Sequence, residues 1–492
     1  MGIMRTKSIE QSIRDTEEPE FELRKSLGPL DLIVFGIGVI IGTGIFVLTG
    51  QAAATYAGPA IALSFVISGI TCALAALCYA EFASTVPVAG SAYTFSYATV
   101  GEFIAWIIGW DLILEFTVGA SAVSVGWSGY FAQILDSFLG ITLPTSITAA
   151  PGDGGIINLP AAVIALLLTV VLVIGITLSS RINQVITAIK LLVVAFFIAF
   201  GVFFIKTANW SPFIPPREPA PGGGGFSLDN TLWESIFGGV SSFGFPGVVA
   251  GAAIVFFAYI GFDIVATTAE ESRNPQRDLP IGILGSLAVC TVLYVAVSLV
   301  MTGVAPYGKL EGAAPMATAF ANMGQSWAAG LVSIGAVCGL TSVIMILMLG
   351  QSRVFFAMCR DNLLPQWFAR VHPRFRTPYR TTIMFGVLVA IIAALTPISD
   401  LAELVNIGTL FAFILVSIGV VILRRTRPEL PRAFRTPLVP LVPILAVLAC
   451  FYLMLNLAGW TWLRFLMWMA IGVVVYFIYG RTHSRLARGD TR

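Results

Sequence analysis

The sequence predicts an all-α integral membrane protein with twelve transmembrane helices, of which helices 1 and 6 are interrupted. Of its 492 residues, 57% are hydrophobic and only 11% are charged, whereas a soluble domain carries about 25% charged residues. Apolar runs close to the ~20 residues needed to cross a bilayer recur along the whole chain. Two of these runs, GIGVIIGTGIF at 36–46 and IVFFAYIGFD at 254–263, contain glycines that interrupt a helix.

The apolar runs form one membrane domain, residues 27–480, between a cytoplasmic N-terminal segment, 1–26, and a cytoplasmic C-terminal tail, 481–492. The first 25 residues contain no apolar stretch followed by a small-residue cleavage site, so no signal peptide is expected. The predicted spans, numbered 1 to 12, are approximately 30–51, 60–82, 101–130, 160–178, 184–205, 248–267, 281–303, 328–352, 382–396, 403–423, 437–458 and 461–479.

The basic residues indicate the orientation of the chain. Most of the 28 Lys and Arg residues lie in the two terminal segments and in the loops after the even-numbered spans. The opposite side has only Lys206, Arg217 and Lys309. By the positive-inside rule both termini are cytoplasmic, and the inner membrane is the expected location. Topology and contact with anionic lipid explain the basic loops, so nucleic acid is not expected as a partner.

The sequence shows no constellation for catalysis or for a cofactor. None of the six cysteines forms a CxxC motif, and the two histidines lie in basic cytoplasmic segments. No Ser/His/Asp set and no His/Cys/carboxylate cluster lies inside the predicted spans. We therefore expect no metal or cofactor, and we do not expect an enzyme.

The two breaks provide complementary backbone groups. A break within a membrane helix must be buried in protein or line a polar cavity, because lipid cannot satisfy free N–H and C=O groups. The half-helix that begins near Gly42 and Thr43 attracts an anion such as a carboxylate, and Thr43 can cap it. The half-helix that ends near Phe257 leaves carbonyls for an ammonium group, and Asp263 can cap the helix that follows. Together they suit a zwitterion, although small residues could instead only allow close helix packing.

The motifs resemble the amino acid, polyamine and organocation transporter superfamily, and within it bacterial members of the cationic amino acid transporter family. The resemblance covers residues 22–480 and rests on the two breaks, on AGPA at 57–60, YAEFASTVPVAGSAY at 79–93, GWDLILEF at 109–116 and EESRNPQRDLPIGI at 270–283. It implies a LeuT-like fold, in which spans 1–5 and 6–10 form two inverted repeats. It also implies secondary transport of an amino acid by alternating access.

The resemblance also implies the residues of a binding site. The substrate carboxylate would meet the backbone of Gly42, Thr43 and Gly44. The amino group would meet four carbonyl oxygens, and Phe257 would also be the gate toward the outer vestibule. These carbonyls belong to Ile40, Phe257, Ala258 and Ile260.

Lys190 and Glu115 are the predicted proton-coupling residues. Lys190 lies about six residues, or ~9 Å, from the cytoplasmic end of span 5, so it either snorkels to the surface or points toward broken span 1. In the second case its amine can exchange a proton and replaces the sodium ion of sodium-dependent relatives. Glu115 lies one helical turn from Asp111. It could tune Lys190 through water, bind a basic substrate side chain, or only hydrogen-bond to nearby hydroxyls.

Other carboxylates lie near the predicted cytoplasmic face, among them Glu81 and Asp278. Salt bridges from these residues to Arg273 or Arg277 could hold an inner gate.

Leu347 in span 8 lies where the resemblance places the wall of the side-chain pocket. Its apolar bulk favours small neutral amino acids such as alanine, while Glu115 leaves arginine or lysine open. We therefore expect proton-coupled symport of a neutral amino acid, with a cationic amino acid transporter or exchanger as the alternative. A channel or membrane receptor is the alternative from another class, and a small membrane protein is left open as a further partner.

Overall fold

The computed structural model describes residues 27–85, 91–175, 180–219, 227–237 and 241–485. The predicted N-terminal segment and most of the predicted C-terminal tail lie outside these ranges.

Helices occur at the predicted span positions and keep the numbers of those spans. Spans 2 to 5 are Ile61–Thr85, Glu102–Ile134, Leu159–Ile174 and Ser180–Gly201. Spans 7 to 12 are Pro275–Val304, Ser326–Arg360, Tyr379–Leu395, Ile398–Thr426, Leu441–Leu455 and Gly459–Val475. Span 1 consists of Pro29–Ile40, Gly44–Leu48, Thr49–Ala52 and Ala53–Ala57, and span 6 of Gly244–Val255, Phe256–Tyr259 and Asp263–Glu271.

The helical membrane architecture is confirmed. Within the described ranges, eight helical stretches are long and apolar enough to cross a membrane, and one of them, Gly44–Thr85, joins the second half of span 1 to span 2. Four further apolar helices are shorter, at 10 to 17 residues, and they include Pro29–Ile40 and Leu159–Ile174. The count of twelve crossings and the inverted repeat therefore stay predictions.

Short helices also lie between the spans. One of them is Leu232–Phe237, which follows a Pro/Gly-rich segment whose residues 220–226 lie outside the described ranges. A capping box starts it, because Thr231 Oγ1 accepts from the Glu234 amide at 3.2 Å and Glu234 Oε2 accepts from the Thr231 amide at 3.3 Å. Ser91–Thr99 and Pro315–Ala321 were not predicted. Two two-residue strands, Glu218–Pro219 and Ser241–Ser242, pair antiparallel, with Glu218 opposite Ser242.

Span 3 forms the centre of the bundle. It packs against spans 8 and 10, and its residues are buried over most of its length. Span 7 packs along span 2 and the first half of span 1. Exposed large apolar side chains, which are the pattern of lipid-facing helices, occur on several spans and are most numerous on spans 4, 5, 9, 11 and 12. The two broken helices are thus enclosed by protein, as their free backbone groups require.

Candidate functional site

The first break separates two helical segments of span 1. The segment Pro29–Ile40 closes with the Ile41 amide donating to Ile37 O at 2.9 Å, and Ile41 is extended, at φ −70° and ψ 96°. The first amide to bond back within the next segment is Phe46, which donates to Gly42 O at 3.4 Å. The amides before it begin a helix and therefore have no intrahelical acceptor. They are the amides of Gly42, Thr43, Gly44 and Ile45.

Thr43 precedes this second segment, but it does not cap it with its side chain. The residue has helical angles, φ −57° and ψ −28°, and its side chain makes no cap hydrogen bond. A side-chain cap normally requires an extended Ncap residue. The Thr43 hydroxyl is fully buried and finds no partner among the described residues. The expectation of a Thr43 cap is wrong, and its hydroxyl is left available inside the protein.

The second break lies at Ile260 and Gly261. The helix Gly244–Val255 tightens into the turn Phe256–Tyr259, after which Ile260 is extended, at φ −60° and ψ 136°. Gly261 has φ +115°, and a Cβ there would lie 2.8 Å from Val39 Cγ1. Only glycine combines this angle with this approach. Both helix interruptions predicted from glycine patterns are therefore confirmed.

The two breaks contact each other through Gly44 and Ala258. A Cβ added to Gly44 would lie 2.8 Å from the Ala258 nitrogen and closer still to its Cα. Gly42 is different, because a Cβ there would lie 3.6 Å and 3.7 Å from the two γ-carbons of Val343, which is ordinary contact distance. Gly44 thus allows the half-helices to pack together, whereas a methyl group at Gly42 would fit beside Val343 at contact distance.

Two of the carbonyls expected to meet the substrate ammonium group already accept one hydrogen bond. Ile40 O accepts from the Tyr294 hydroxyl at 2.9 Å, and Phe257 O accepts from the Ile260 amide at 3.3 Å. A carbonyl oxygen has two lone pairs, so each keeps one acceptor position.

Asn406 of span 10 also contributes to the second break, and sequence reasoning missed it. Its Nδ2 donates to Ala253 O at 2.7 Å and to Ile254 O at 3.0 Å, and the side chain is fully buried. These carbonyls lie in the last turn of the helix before the break, where the intrahelical donors run out. The available signal was a single amide side chain within the apolar run LVNIGTLF.

Lys190 points into the bundle. Its side chain is fully buried, and its Nζ donates to Gly38 O at 2.5 Å. Its aliphatic stem lies against span 8 at Gly339, where a Cβ would come within 2.8 Å of Lys190 Cγ. Snorkelling is therefore wrong for this lysine, because the stem is packed against span 8 and the amine is bonded to span 1. A cation at the C-terminal end of a half-helix is also the favourable sign for the helix dipole.

Glu115 is buried in a different part of the site. Its carboxyl hydrogen-bonds with the Thr409 hydroxyl, and the buried carboxyl groups of Asp263 and Asp111 lie near it. The ionisable side chain near Lys190 is instead that of Cys290. Oε1 of Glu115, Oδ1 of Asp263 and both oxygens of Asp111 have no hydrogen-bond partner within the described part of the chain. Glu115 thus belongs to a set of three buried carboxyl groups, and no direct bond joins it to Lys190.

Leu347 lies between spans 8 and 3. It is buried, and a Cβ added to Gly119 of span 3 would lie 3.6 Å from its Cδ1. Val343, which lies beside Gly42, is one helical turn earlier on the same face of span 8. Val343 and Leu347 therefore form a continuous apolar wall that starts at the first break.

The expected partners of Glu81 are wrong. Glu81 accepts from Arg424 Nε at 2.8 Å and Arg424 Nη2 at 2.7 Å, and the Thr436 amide donates to it at 2.8 Å. Arg432 Nε also lies 3.4 Å from Glu81 Oε1. Glu81 therefore joins span 2 to the end of span 10 and the loop that follows. Asp278 instead accepts from the Asn274 amide at 3.2 Å, at the start of span 7.

Comparisons with known proteins agree with this arrangement. Residues 27–481 match the family model described as amino acid permease. The chain is 50% identical to a branched-chain amino acid permease of Bacillus subtilis (strain 168) over 99% of both chains. It is 47% identical to a methylthioribose transporter of the same strain, over 94% of this chain and 95% of that one. A vacuolar cationic amino acid transporter of Arabidopsis thaliana is 36% identical over 87% of this chain and 68% of its own length.

Proposed function

Because the chain belongs to the amino acid permease family, we propose that it is a secondary active transporter that couples the entry of a neutral L-amino acid to proton movement. Alternating access of one central site would carry out the transport. Membership of this family makes the protein a transporter rather than an enzyme. The observation that carries the proposal is the contact between the two helix breaks at Gly44 and Ala258. It brings a helix start and a helix end to one place in the core.

The first break would bind the substrate carboxylate. The amides of Gly42, Thr43 and Gly44 have no intrahelical acceptor and lie at the positive end of a helix dipole. The lack of a side chain at Gly42 supports this assignment, because a carboxylate oxygen needs direct approach to the backbone. The buried Thr43 hydroxyl supplies one more donor.

Carbonyl oxygens from both breaks would bind the substrate ammonium group. Ile40 O and Phe257 O each keep one lone pair, and the carbonyls of Ala258 and Ile260 complete the set. Phe257 is nearly buried and would act as the gate over the bound substrate. Binding through backbone groups leaves the substrate side chain to be selected by the shape of its pocket.

The apolar wall of Val343 and Leu347 favours a neutral aliphatic side chain, from alanine to the branched-chain amino acids. The branched-chain amino acid permease among the relatives supports this size range. The cationic amino acid transporters support the alternative of arginine or lysine, in which the buried carboxyl of Glu115 would pair with the substrate. Methylthioribose is a second candidate substrate because of the relative that carries that name. It has neither a carboxylate nor an ammonium group, so it would not use both breaks.

Lys190 would couple transport to the proton. Its amine already occupies the end of the first half-helix, where a cation is favoured, and the surrounding core excludes water. Release of its proton would weaken the bond to Gly38 O and free span 1 to move. We place the protein in the inner membrane with both termini cytoplasmic, as the distribution of basic residues indicates.

The decisive experiment is uptake into proteoliposomes, with proton and sodium gradients imposed separately. The panel contains labelled alanine, leucine, arginine and methylthioribose. We expect alanine or leucine to accumulate with an inward proton gradient and without sodium. Accumulation that needs sodium would overturn the coupling assignment. Preference for arginine or methylthioribose would overturn the substrate assignment.

A further inference from the structure

We propose that the loop between spans 8 and 9 is a preformed binding site for the headgroup of an anionic phospholipid. The inference is independent of the proposed substrate and coupling ion. It concerns residues 361–380, which the structure describes completely.

This loop carries only positive formal charges after Asp361. The sequence has no Asp or Glu from residue 362 to residue 399, whereas it places four arginines between 370 and 380. Arg370, Arg374 and Arg376 are exposed, and none of them forms an ion pair with a described carboxylate. Unpaired guanidinium groups fit the oxygen atoms of a phosphodiester, to which they can donate two parallel hydrogen bonds.

His372 holds this loop in a compact turn. Its Nδ1 accepts from the amides of Arg374 and Phe375, each at 3.2 Å. Its amide donates to Thr377 O at 2.8 Å, and its carbonyl accepts from the Arg376 amide at 2.9 Å. Arg374 and Arg376 therefore lie within one fixed turn, and Arg370 precedes it by two residues, so that little loop entropy would be lost when a headgroup binds.

The turn is also fixed to the membrane helices. Thr381 Oγ1 donates to Phe368 O at 2.9 Å, and the Phe368 ring lies 5.6 Å from the ring of Phe355 in span 8. Thr377 Oγ1 donates to Val173 O in span 4 at 2.8 Å. Arg380 stacks over Trp367, with its Cζ 4.5 Å from the ring centroid. The loop thus forms a rigid surface across the ends of spans 4, 8 and 9.

Apolar side chains next to the arginines indicate that the partner is a lipid. Trp367 is 57% exposed and Val371 is 47% exposed. Span 9 starts at Tyr379, directly after the turn, and it has a stripe of exposed apolar side chains along its length. The stripe consists of Ile383, Val387, Leu388, Ile391 and Leu395. A phospholipid could thus place its phosphate on the arginines and its acyl chains along span 9, while Trp367 lies at the interface, where tryptophan is favoured.

Native mass spectrometry of the full-length protein tests the site, with phosphatidylglycerol and phosphatidylcholine added at equal concentrations. We expect one phosphatidylglycerol to bind with about tenfold preference, a size in keeping with a few lipid-facing arginines. The combined variant Arg370→Gln, Arg374→Gln and Arg376→Gln should lose that preference. The matched control, Arg425→Gln, Arg427→Gln and Arg435→Gln, removes the same charge from exposed positions at the end of span 10 and in the loop that follows, and it should keep the preference.

His372→Ala separates a built site from charge alone, because it keeps all the arginines and removes the two side-chain hydrogen bonds, from the amides of Arg374 and Phe375, that help to hold the turn. The preference of this variant for phosphatidylglycerol over phosphatidylcholine should fall at least fivefold. Its transport activity and its thermal unfolding midpoint in phosphatidylcholine should stay unchanged. Equal binding of both lipids by the unmodified protein would overturn the proposal. Equal losses in the two arginine variants, or full preference in His372→Ala, would also overturn it, because the arginines would then act only through total charge or topology.

Discussion

Lys190 supplies the hydrogen bond that Gly38 O loses at the first break. In an unbroken helix the Gly42 amide would donate to Gly38 O, four residues earlier. The chain leaves helical angles after Ile40, and the lysine amine takes that place at 2.5 Å. The Gly42 amide is thereby released for another acceptor. The proposed proton group and the proposed carboxylate donor are thus linked through one broken backbone hydrogen bond.

The first prediction concerns Lys190→Met, which keeps most of the side-chain volume and removes the titratable amine. Accumulation driven by an inward proton gradient should be lost. Exchange of labelled for unlabelled substrate should remain, because the amides of the first break are unchanged. Both are measured as uptake into proteoliposomes. Gradient-driven accumulation at the unmodified level would exclude Lys190 as the proton carrier.

The second prediction compares Gly42→Ala with Gly44→Ala. A methyl group at position 42 has ordinary contacts only, so that variant should fold normally and bind substrate at least tenfold more weakly. A methyl group at position 44 would collide with the Ala258 backbone, so that variant should unfold at a lower temperature. Thermal unfolding with and without substrate measures both effects. Unchanged affinity in Gly42→Ala would remove the first break from the carboxylate site.

A bulky residue at Gly44, such as valine, would not give a clean test of carboxylate binding. Because Gly44 packs directly on Ala258, such a change cannot separate binding from packing, and Gly42 is the better position for the test.

The third prediction concerns substrate selection. Leu347→Ser removes apolar bulk next to Gly119 and should allow arginine or lysine to compete with neutral substrates. A buried guanidinium group is tolerated only when it is paired, so the gain should disappear when Glu115→Gln is added. Competition against labelled alanine measures both changes, and retained alanine uptake is the control. If the unmodified protein already prefers arginine, the pocket wall is not the determinant.

The fourth prediction concerns Asn406→Ala. The change removes the side-chain donor of Ala253 O and Ile254 O, of which Ile254 O keeps the Phe256 amide, and an unsatisfied buried polar group costs about 1–3 kcal/mol. The thermal unfolding midpoint should fall. Ser417→Ala, a buried polar change on the same helix that removes only a weak contact with the Cys78 thiol, should have a much smaller effect. Equal midpoints in the two variants would contradict a supporting role for Asn406.

The breaks were predictable because their glycines are required locally. Gly261 has a positive φ, which favours glycine at that position. A glycine within an apolar run is therefore a pattern that can be recognised in a single sequence. The inward direction of Lys190 could not be decided in the same way, since it depends on Gly339, which is far away in the chain and leaves room for the lysine stem. The partners of Glu81 could not be predicted for a related reason. Arg424 and Arg432 are distant from Glu81 in the chain, and an ion pair between different helices leaves no characteristic spacing in the sequence.

Asn406 constrains how the two sides of the membrane can be exposed in turn. Two hydrogen bonds from one side chain hold span 10 to the end of the helix Gly244–Val255, so any displacement of one element carries the other with it. In the proposed alternating-access cycle, rotation would then be absorbed at the extended residues Ile41 and Ile260. These pivots would coincide with the groups proposed to hold the substrate, so that a bound substrate would directly change the stiffness of the hinge.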